Sequence, residues 1–154
     1  EDHYIKKDYI EYIFSEKKVK CLYTMKPLGQ WFYGSDESLQ NYRYIAEQID
    51  ADICDFVRPS QCNGDHVVRV SAQHKGSGIL TEPVIKNADA MITDEKDIIL
   101  CMVQSDCVPV YLFDPEKKLL VLFTAAGQAL RRILQERPLK KCRRSIIATR
   151  KTSK

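Results

Sequence analysis

A carboxylate and a thiol stand side by side where one apolar stretch of this chain ends and the next begins. Asp106 and Cys107 lie between the apolar residues 98–103 and 110–113, a pattern that predicts a junction between two buried strands. An acid and a thiol are costly to bury there without partners. A thiolate at such a junction can bind a metal ion or attack an electrophile. The pair is therefore the first candidate for a catalytic or metal-binding site.

Each of the two residues also has a simpler interpretation. Cys107 can be an inert buried thiol that only fills space in the core. Asp106 can orient a ligand or accept a hydrogen bond from a substrate, or it can only cap the end of a strand. The two residue types alone leave these alternatives open.

The composition is that of one ordinary globular domain. The 154 residues suffice for a single hydrophobic core, and no apolar run is long enough to span a bilayer, so no membrane is expected as a partner. No signal-peptide pattern opens the chain, so the six cysteines are expected to be reduced thiols in a cytoplasmic protein.

The charge is unevenly distributed along the chain. Residues 131–154 contain ten Lys or Arg and a single acid, Glu136, although the whole chain has a net charge of only +3. Such a segment can attract the phosphates of nucleic acid. No aromatic residue follows Phe123, however, so no stacking surface accompanies the charge. Nucleic acid is therefore not expected as a partner.

Periodicity and turn residues predict the elements that position these groups. Ser35 or Asp36 can cap a helix whose apolar residues 39, 42, 45, 46 and 49 share one face. Residues 19–25 alternate as in a strand, and residues 71–86 contain the breakers of a loop. Further strands are expected at 56–59 and 66–70, a short buried element at 88–93, and a hairpin at 108–113 and 119–123 around Asp114-Pro115.

Four motifs, in this order, resemble those of the laccase-domain family. Asn41-Tyr42-Arg43 lies in the predicted helix, and the segment from Gln61 through Asn63 to Val67 is similar to the family's Gln-x-His-x-x-x-Val. Residues 88–93 look like its Ala-Asp-Ala-hydrophobic-hydrophobic-Thr element. Residues 105–110, followed by Asp114-Pro115, look like its Ala-Asp-Cys-x-Pro-Val run and the turn after it. The resemblance covers residues 35–123.

The resemblance implies both a fold and an activity. The fold is α/β, a mixed sheet with helices, similar to that of cysteine hydrolases. Family members were once labelled multicopper polyphenol oxidases and are now regarded as zinc-dependent purine nucleoside phosphorylases. The implied reaction is phosphorolysis of adenosine or inosine, with adenosine deamination also credited to the family, so the implied partners are a purine nucleoside and phosphate. Copper-dependent oxidation of phenols is the older alternative.

The resemblance also implies roles for individual residues. Asp106 and Cys107 are the implied catalytic residues, with Cys107 as a metal ligand. Arg43, Gln61 and Asn63 are candidates for binding substrate. For Arg43 a surface ion pair on the helix is the commoner alternative, and Asn63 can simply form a turn with Gly64.

The metal ligands of the family are incomplete in this chain. The family binds zinc through the His of Gln-x-His, the Cys of Asp-Cys and the first His of His-x-Gly-Trp-Arg-Gly. Here Asn63 occupies the first position, Cys107 the second, and the third falls near Thr124. An amide is a poor zinc ligand, and a single thiolate does not hold a catalytic zinc. Little or no phosphorylase activity is therefore expected.

Two further hypotheses remain open from the residues. One is a non-catalytic relative that binds a ligand or partner; the other is a Cys–His hydrolase, which requires a histidine near Cys107. His66 and His74 are the candidates to replace missing ligands. Strand alternation would put positions 63 and 66 on opposite faces, and His74, in the loop, is expected to be solvated.

The tail matches the family poorly, so the predicted organisation is a partial laccase-like domain at 1–123 and a basic tail at 124–154. One hypothesis is that the tail is translated out of frame. If plausible codons are written for Gln128 to Lys154 and reread from the third base of each codon, they can encode an amphipathic helix. Codons for Phe123 to Gly127, reread in the same frame, can encode His-Cys-Gly-Trp, where the family has His-x-Gly-Trp. The fold is then expected to be incomplete at its C-terminal end.

Overall fold

The computed structural model describes residues 3–12, 19–29, 31–104, 107–124 and 149–150. Within them the chain forms one α-helix and two β-sheets. The helix α1 spans Asp36–Ile49. The strands are β1 (His3–Ile5), β2 (Tyr9–Tyr12), β3 (Val19–Thr24), β4 (Phe56–Val57), β5 (Val67–Arg69), β6 (Ala90–Thr93), β7 (Ile99–Leu100), β8 (Pro109–Asp114), β9 (Leu119–Thr124) and β10 (Thr149–Arg150).

The first sheet has six strands in the order β1-β2-β3-β10-β7-β4. Its β4–β7 pair is parallel and the other pairs are antiparallel. The helix α1 packs against this sheet, because its buried residues share a hydrophobic cluster with Tyr9, Phe56 and Ile99. Ser35 caps the helix by accepting the N–H of Ser38 at 3.1 Å. The predicted helix, its cap and its apolar face are confirmed.

The second sheet has four strands in the order β5-β6-β9-β8. Here β5 and β6 are parallel, and the hairpin β8–β9 and the β6–β9 pair are antiparallel. Every residue of β9 is buried, which explains the five consecutive apolar residues that precede Thr124. Met91, Leu120 and Leu122 of this sheet share one core cluster with Val57 and Leu100 of the first. The two sheets therefore pack against each other, and the main core lies between them.

The chain crosses between the sheets at the segment that holds the acid–thiol pair. A strand was expected over 98–103, but only Ile99–Leu100 belongs to β7. The N–H of Cys101 still donates to Val57 O of β4 at 2.9 Å, and residues 102–104 leave the sheet. The next strand, β8, lies in the other sheet. An apolar run predicts that a segment is buried, but it does not predict which sheet the segment joins. The sequence therefore did not predict that the expected mixed sheet is divided into two sheets.

The strand expected at 56–59 is also shorter than predicted. After β4, the N–H of Arg58 donates to Ser77 O at 2.9 Å, outside the sheet. Pro59 has no N–H to continue a ladder. A Cβ at Gly78, where φ is +80°, would lie 2.2 Å from Arg58 O, so the loop can approach β4 this closely only with glycine at that position.

The mixed α/β class is confirmed. No helix among the described residues is both long and apolar enough to cross a membrane. Residues 125–148 lie outside the described residues, and Thr149–Arg150 pairs with β3 and β7. The boundary at 123 and the out-of-frame origin of the tail stay predictions.

Candidate functional site at one end of the four-stranded sheet

The strand register brings three positions of the candidate site to the same end of the four-stranded sheet. Strands β5 and β6 begin at this end, and β9 finishes there with Thr124 opposite Pro109, the first residue of β8. Asn63 lies four residues before β5, and Cys107 lies two residues before β8. The three positions where the family pattern would put ligands therefore share one edge.

The buried carboxylate of Asp89 holds the loop that carries position 63. Its oxygens accept the backbone N–H groups of Cys62 at 3.2 Å, Asn63 at 2.8 Å and Gly64 at 2.7 Å, and the Cys62 thiol at 3.3 Å. The backbone oxygen of Asp89 also accepts the N–H of Thr124 at 3.3 Å. One residue thus connects the loop at 63 with the end of β9.

These hydrogen bonds determine the charge state of Asp89. Burial favours the neutral acid and raises its pKa, but the donors from Gly64, Cys62 and Asn63 outweigh burial, so the pKa lies below its ordinary value. The same contact has the opposite effect on the thiol, because the hydrogen bond to the Asp89 carboxylate raises the pKa of Cys62.

The backbone at Asn63 and Gly64 is bent to meet this carboxylate. Asn63 has φ of +59°, a left-handed conformation that asparagine tolerates better than most residues. A Cβ on Gly64 would lie only 3.3 Å from Asp89 Oδ2 and from Cys62 Sγ. The expected bend at Asn63-Gly64 is present, and the Asn63 side chain is exposed beside it.

Gln61 connects this loop to the segment that precedes Cys107. Its Oε1 accepts the backbone N–H of Val103 at 2.9 Å. Because Val103 lies outside the ladder of β7, this bond satisfies a donor that the sheet does not. The bond gives Gln61 a positioning role in the fold and uses only its carbonyl oxygen. A role for Gln61 in binding substrate stays a prediction.

Of the two central residues of the motif, Asp106 and Cys107, the structure describes only Cys107. Cys107 is a half-buried free thiol, next to the exposed Val108. Asp106 lies outside the described residues, so its catalytic role stays a prediction, as does that of Cys107.

The histidines lie in other interactions. His66 Nδ1 lies 3.1 Å from the backbone oxygen of Asn87. His74 Nδ1 accepts the N–H of Ser71 at 3.0 Å in a capping box, and the residue is half-buried, so the expectation that His74 is solvated was wrong. Among the described hydrogen bonds, none joins a histidine to Cys107.

Arg43 lies in another part of the molecule. It is exposed on α1, the helix that packs against the six-stranded sheet. Among the described contacts, no hydrogen bond or ion pair joins it to the loop at 61–64 or to Cys107. The structure therefore brings Gln61, Asn63 and Cys107 to one region and leaves Arg43 apart; its phosphate-binding role stays a prediction.

Sequence reasoning missed Asp89 as the residue that organises the site. The signal was present, because Asp89 is the one acid within the apolar stretch 88–93. A buried acid there requires donors. The sequence could not show which loop supplies them.

The described donor set does not fit the zinc centre that the family pattern implies. No group of three His, Cys, Asp or Glu side chains able to hold a metal ion occurs among the described residues. Position 63 has an amide and position 124 a buried hydroxyl. The Asp89 oxygens nearby already accept four protein donors. Cys107 is left as the one favourable zinc ligand of the three positions.

A comparison with known protein families identifies the family of this chain. The profile of the family described as "Multi-copper polyphenol oxidoreductase laccase" matches residues 35–140. The chain belongs to this laccase-domain family.

Its relatives include named enzymes. Purine nucleoside phosphorylase YlmD of Bacillus subtilis is 30% identical over 82 residues, which cover 53% of this chain and 30% of that protein. A purine nucleoside phosphorylase of Staphylococcus epidermidis is 31% identical over 130 residues, covering 73% of this chain and 49% of its own length. The chain thus spans about half, or less, of these relatives.

Solved structures share the fold. YlmD from Geobacillus stearothermophilus superposes with a TM-score of 0.75 at 18% identity, covering 89% of this chain and 60% of that one. The Bacillus licheniformis protein YfiH superposes with a TM-score of 0.72 at 20% identity, covering 86% and 58%. At these identities the likeness establishes the fold alone.

Proposed function

We propose that this protein is a purine nucleoside phosphorylase-like member of its family in which zinc-dependent phosphorolysis of adenosine or inosine is absent or strongly reduced. One observation carries the proposal. Positions 63, 107 and 124 gather at one end of the four-stranded sheet, yet they present an amide, a thiol and a hydroxyl. The frame of the site is present without its nitrogen ligands.

The amide at position 63 and the hydroxyl at position 124 should weaken zinc binding. A catalytic zinc is normally held by three protein ligands and keeps its fourth position open. Neutral amide and hydroxyl oxygens are weak donors for this metal compared with imidazole and thiolate. We therefore assign no reaction step through zinc to this chain.

The remaining polar groups are suited to binding nucleoside rather than to cleaving it. The exposed amide of Asn63 can donate to and accept from a purine edge or a ribose hydroxyl. The Gln61 amide nitrogen is not used in the bond to Val103. Under this proposal Gln61 and Asn63 contact substrate, Asp89 positions their loop, and Asp106 and Cys107 lie at the reacting end. Arg43 would reach phosphate only if the nucleoside site extended to α1.

An assay for free base release from adenosine or inosine tests the proposal. Three chains are compared with and without phosphate: the unaltered protein, Asn63→His with Thr124→His, and the same pair with Cys107→Ser. We expect the unaltered protein to match a blank and the double variant to gain phosphate-dependent cleavage. The triple variant should lose that gain. Phosphate-dependent cleavage by the unaltered protein that Cys107→Ser abolishes would refute the proposal.

The alternative functions are less well supported. Phenol oxidation needs copper, which imidazole and thiolate bind, so the same donor set argues against it. A cysteine hydrolase needs a base beside the thiol, and the described hydrogen bonds place His66 and His74 elsewhere. A non-catalytic ligand-binding relative is supported by a cavity of about 770 Å³ between the two sheets, whose lining includes Trp31, Phe56 and Tyr111.

A further inference from the structure

The strand β1 (His3–Ile5) forms one edge of the six-stranded sheet. It pairs with β2 on one side, and no strand among the described residues pairs with its other side. All of its residues are exposed, with Tyr4 and Ile5 at 57% and 71%. An edge strand presents N–H and C=O groups with which another chain can pair. The outer side of β1 is therefore a candidate for contact with another molecule.

The register with β2 shows which backbone groups of β1 point outward. The N–H of Lys6 donates to Tyr9 O at 2.8 Å, so these two residues form a hydrogen-bonded pair. In an antiparallel ladder such pairs alternate with pairs that are not hydrogen-bonded. His3 and Ile5 fall in the pairs of the second kind. Their N–H and C=O groups therefore point away from β2, towards the open edge.

The charges around β1 make the segment complementary to itself. In the sequence two acids precede the strand and two lysines follow it, Glu1-Asp2 and Lys6-Lys7. Two copies that run in opposite directions and are centred on Tyr4 would set the acidic end of each copy against the lysines of the other. Opposite charges on paired strands stabilise the pairing.

The same alignment suits the outward backbone groups. Centred on Tyr4, it places His3 of each copy opposite Ile5 of the other, so each of these two pairs can exchange two backbone hydrogen bonds. A shift of one residue would set outward groups opposite inward ones and lose these bonds. Backbone geometry and charge thus favour the same register.

We infer that two copies of this chain associate through β1, antiparallel about a two-fold axis at Tyr4, so that their six-stranded sheets become one continuous sheet. Such a contact uses the same surface on both copies, as two-fold dimers do. Three residues from each copy make a small interface, so we expect a weak dimer with a Kd on the order of 100 μM. The inference does not depend on the proposed function, because Asn63, Cys107 and Thr124 lie outside β1.

Sedimentation velocity on the full chain tests the association. Between about 10 μM and about 1 mM the unaltered protein should convert from monomer to dimer. His3→Lys with Ile5→Lys sets like charges opposite each other in the inferred pairs, and His3→Glu with Ile5→Glu does the same. Each double variant alone should dimerise roughly tenfold more weakly or worse, whereas an equal mixture of the two should form a heterodimer.

The matched controls carry the same charges on another exposed surface. Gln40→Lys with Gln48→Lys, and Gln40→Glu with Gln48→Glu, lie on the exposed side of α1. Both control variants should dimerise as the unaltered protein does.

A disulfide tests the register. In the inferred dimer Tyr4 lies opposite its own copy in a closely spaced pair, so Tyr4→Cys should cross-link under oxidised glutathione. Ile5→Cys should not, because position 5 of one copy lies opposite position 3 of the other. Mass spectrometry of the digested protein identifies the linked peptides.

A protein that stays monomeric at about 1 mM would overturn the inference, and this measurement needs no variant. A dimer that the charged β1 variants form as tightly as the unaltered protein would also overturn it, since another surface would then join the copies. Cross-linking of Ile5→Cys in preference to Tyr4→Cys would refute the register.

Discussion

The backbone N–H of Asn63 donates to the buried carboxylate of Asp89 at 2.8 Å, across 26 residues of chain. This bond fixes the position where the family pattern would place a histidine. Because Asp89 also accepts from Thr124, it joins two of the three ligand positions. The scaffold of the site thus depends on a residue that would not itself touch a substrate.

Replacing Asp89 by Asn should destabilise the fold by about 2 kcal/mol at pH 7, since hydrogen bonds to a charged acceptor are worth more than those to a neutral one. Urea denaturation measures the change. Asp94→Asn is the control: its ion pair with Arg69 is largely exposed, and we expect a change below about 0.5 kcal/mol. Equal effects of the two variants would contradict the role given to Asp89.

The contribution of Asp89 to the free energy of unfolding should decrease as the pH is lowered. Its pKa in the folded protein is below the value of about 3.9 for an unfolded aspartate. The contribution is therefore fully present above that unfolded value and is lost as the pH falls through the folded pKa. Denaturation curves between pH 3 and pH 7 should show the unaltered protein and Asp89→Asn converging in acid. A gap of constant size would show that the carboxylate charge is not responsible.

The alkylation rates of two exposed cysteines, Cys62 and Cys54, should each depend on a different carboxylate. Asp89 raises the pKa of Cys62, and Asp52 raises that of Cys54, in both cases through a hydrogen bond as the largest cause. Since the thiolate is the reactive form, Asp89→Asn should speed alkylation of Cys62 by iodoacetamide and leave Cys54 unchanged.

Asp52→Asn is the matched control and should do the reverse. Mass spectrometry of the digested protein, sampled over time at pH 8, follows each cysteine. Acceleration of both thiols by either variant would indicate general loosening of the fold rather than these two contacts.

Gly78→Ala should cost about 3 kcal/mol or more, because the new Cβ meets Arg58 O at 2.2 Å and the backbone has positive φ. Gly34→Ala measures the cost of the positive φ alone, because Gly34 also has positive φ but a Cβ there would meet nothing within 4 Å. We expect a cost of about 1 kcal/mol for it. Thermal or urea unfolding compares the two, and similar costs would mean that the close approach to Arg58 is unimportant.

The local elements could be predicted because their signals lie within a few residues. The helix has a capping Ser35 and a 3.6-residue apolar period. The hairpin turn has Asp114, whose side chain accepts the N–H groups of Glu116 and Lys117 at 3.0 Å each. Both interactions are local, so sequence alone specifies them.

The features that sequence could not supply depend on contacts between distant segments. The apolar run 98–103 predicts burial, but not that the N–H of Val103 donates to the side chain of Gln61, 42 residues away in sequence, instead of to a strand. The partners of Asp89 and the cavity beside Trp31 likewise arise from packing. Resemblance to a family suggested the candidate site, and only the structure showed how its loop is held.

Zinc binding by the unaltered protein tests the central claim most directly. The chain is stripped with a chelator, equilibrated with zinc by dialysis, and analysed for bound metal alongside Cys107→Ser. We predict well below one zinc per chain, with no difference between the two proteins. One tightly bound zinc per chain that Cys107→Ser removes would contradict the account.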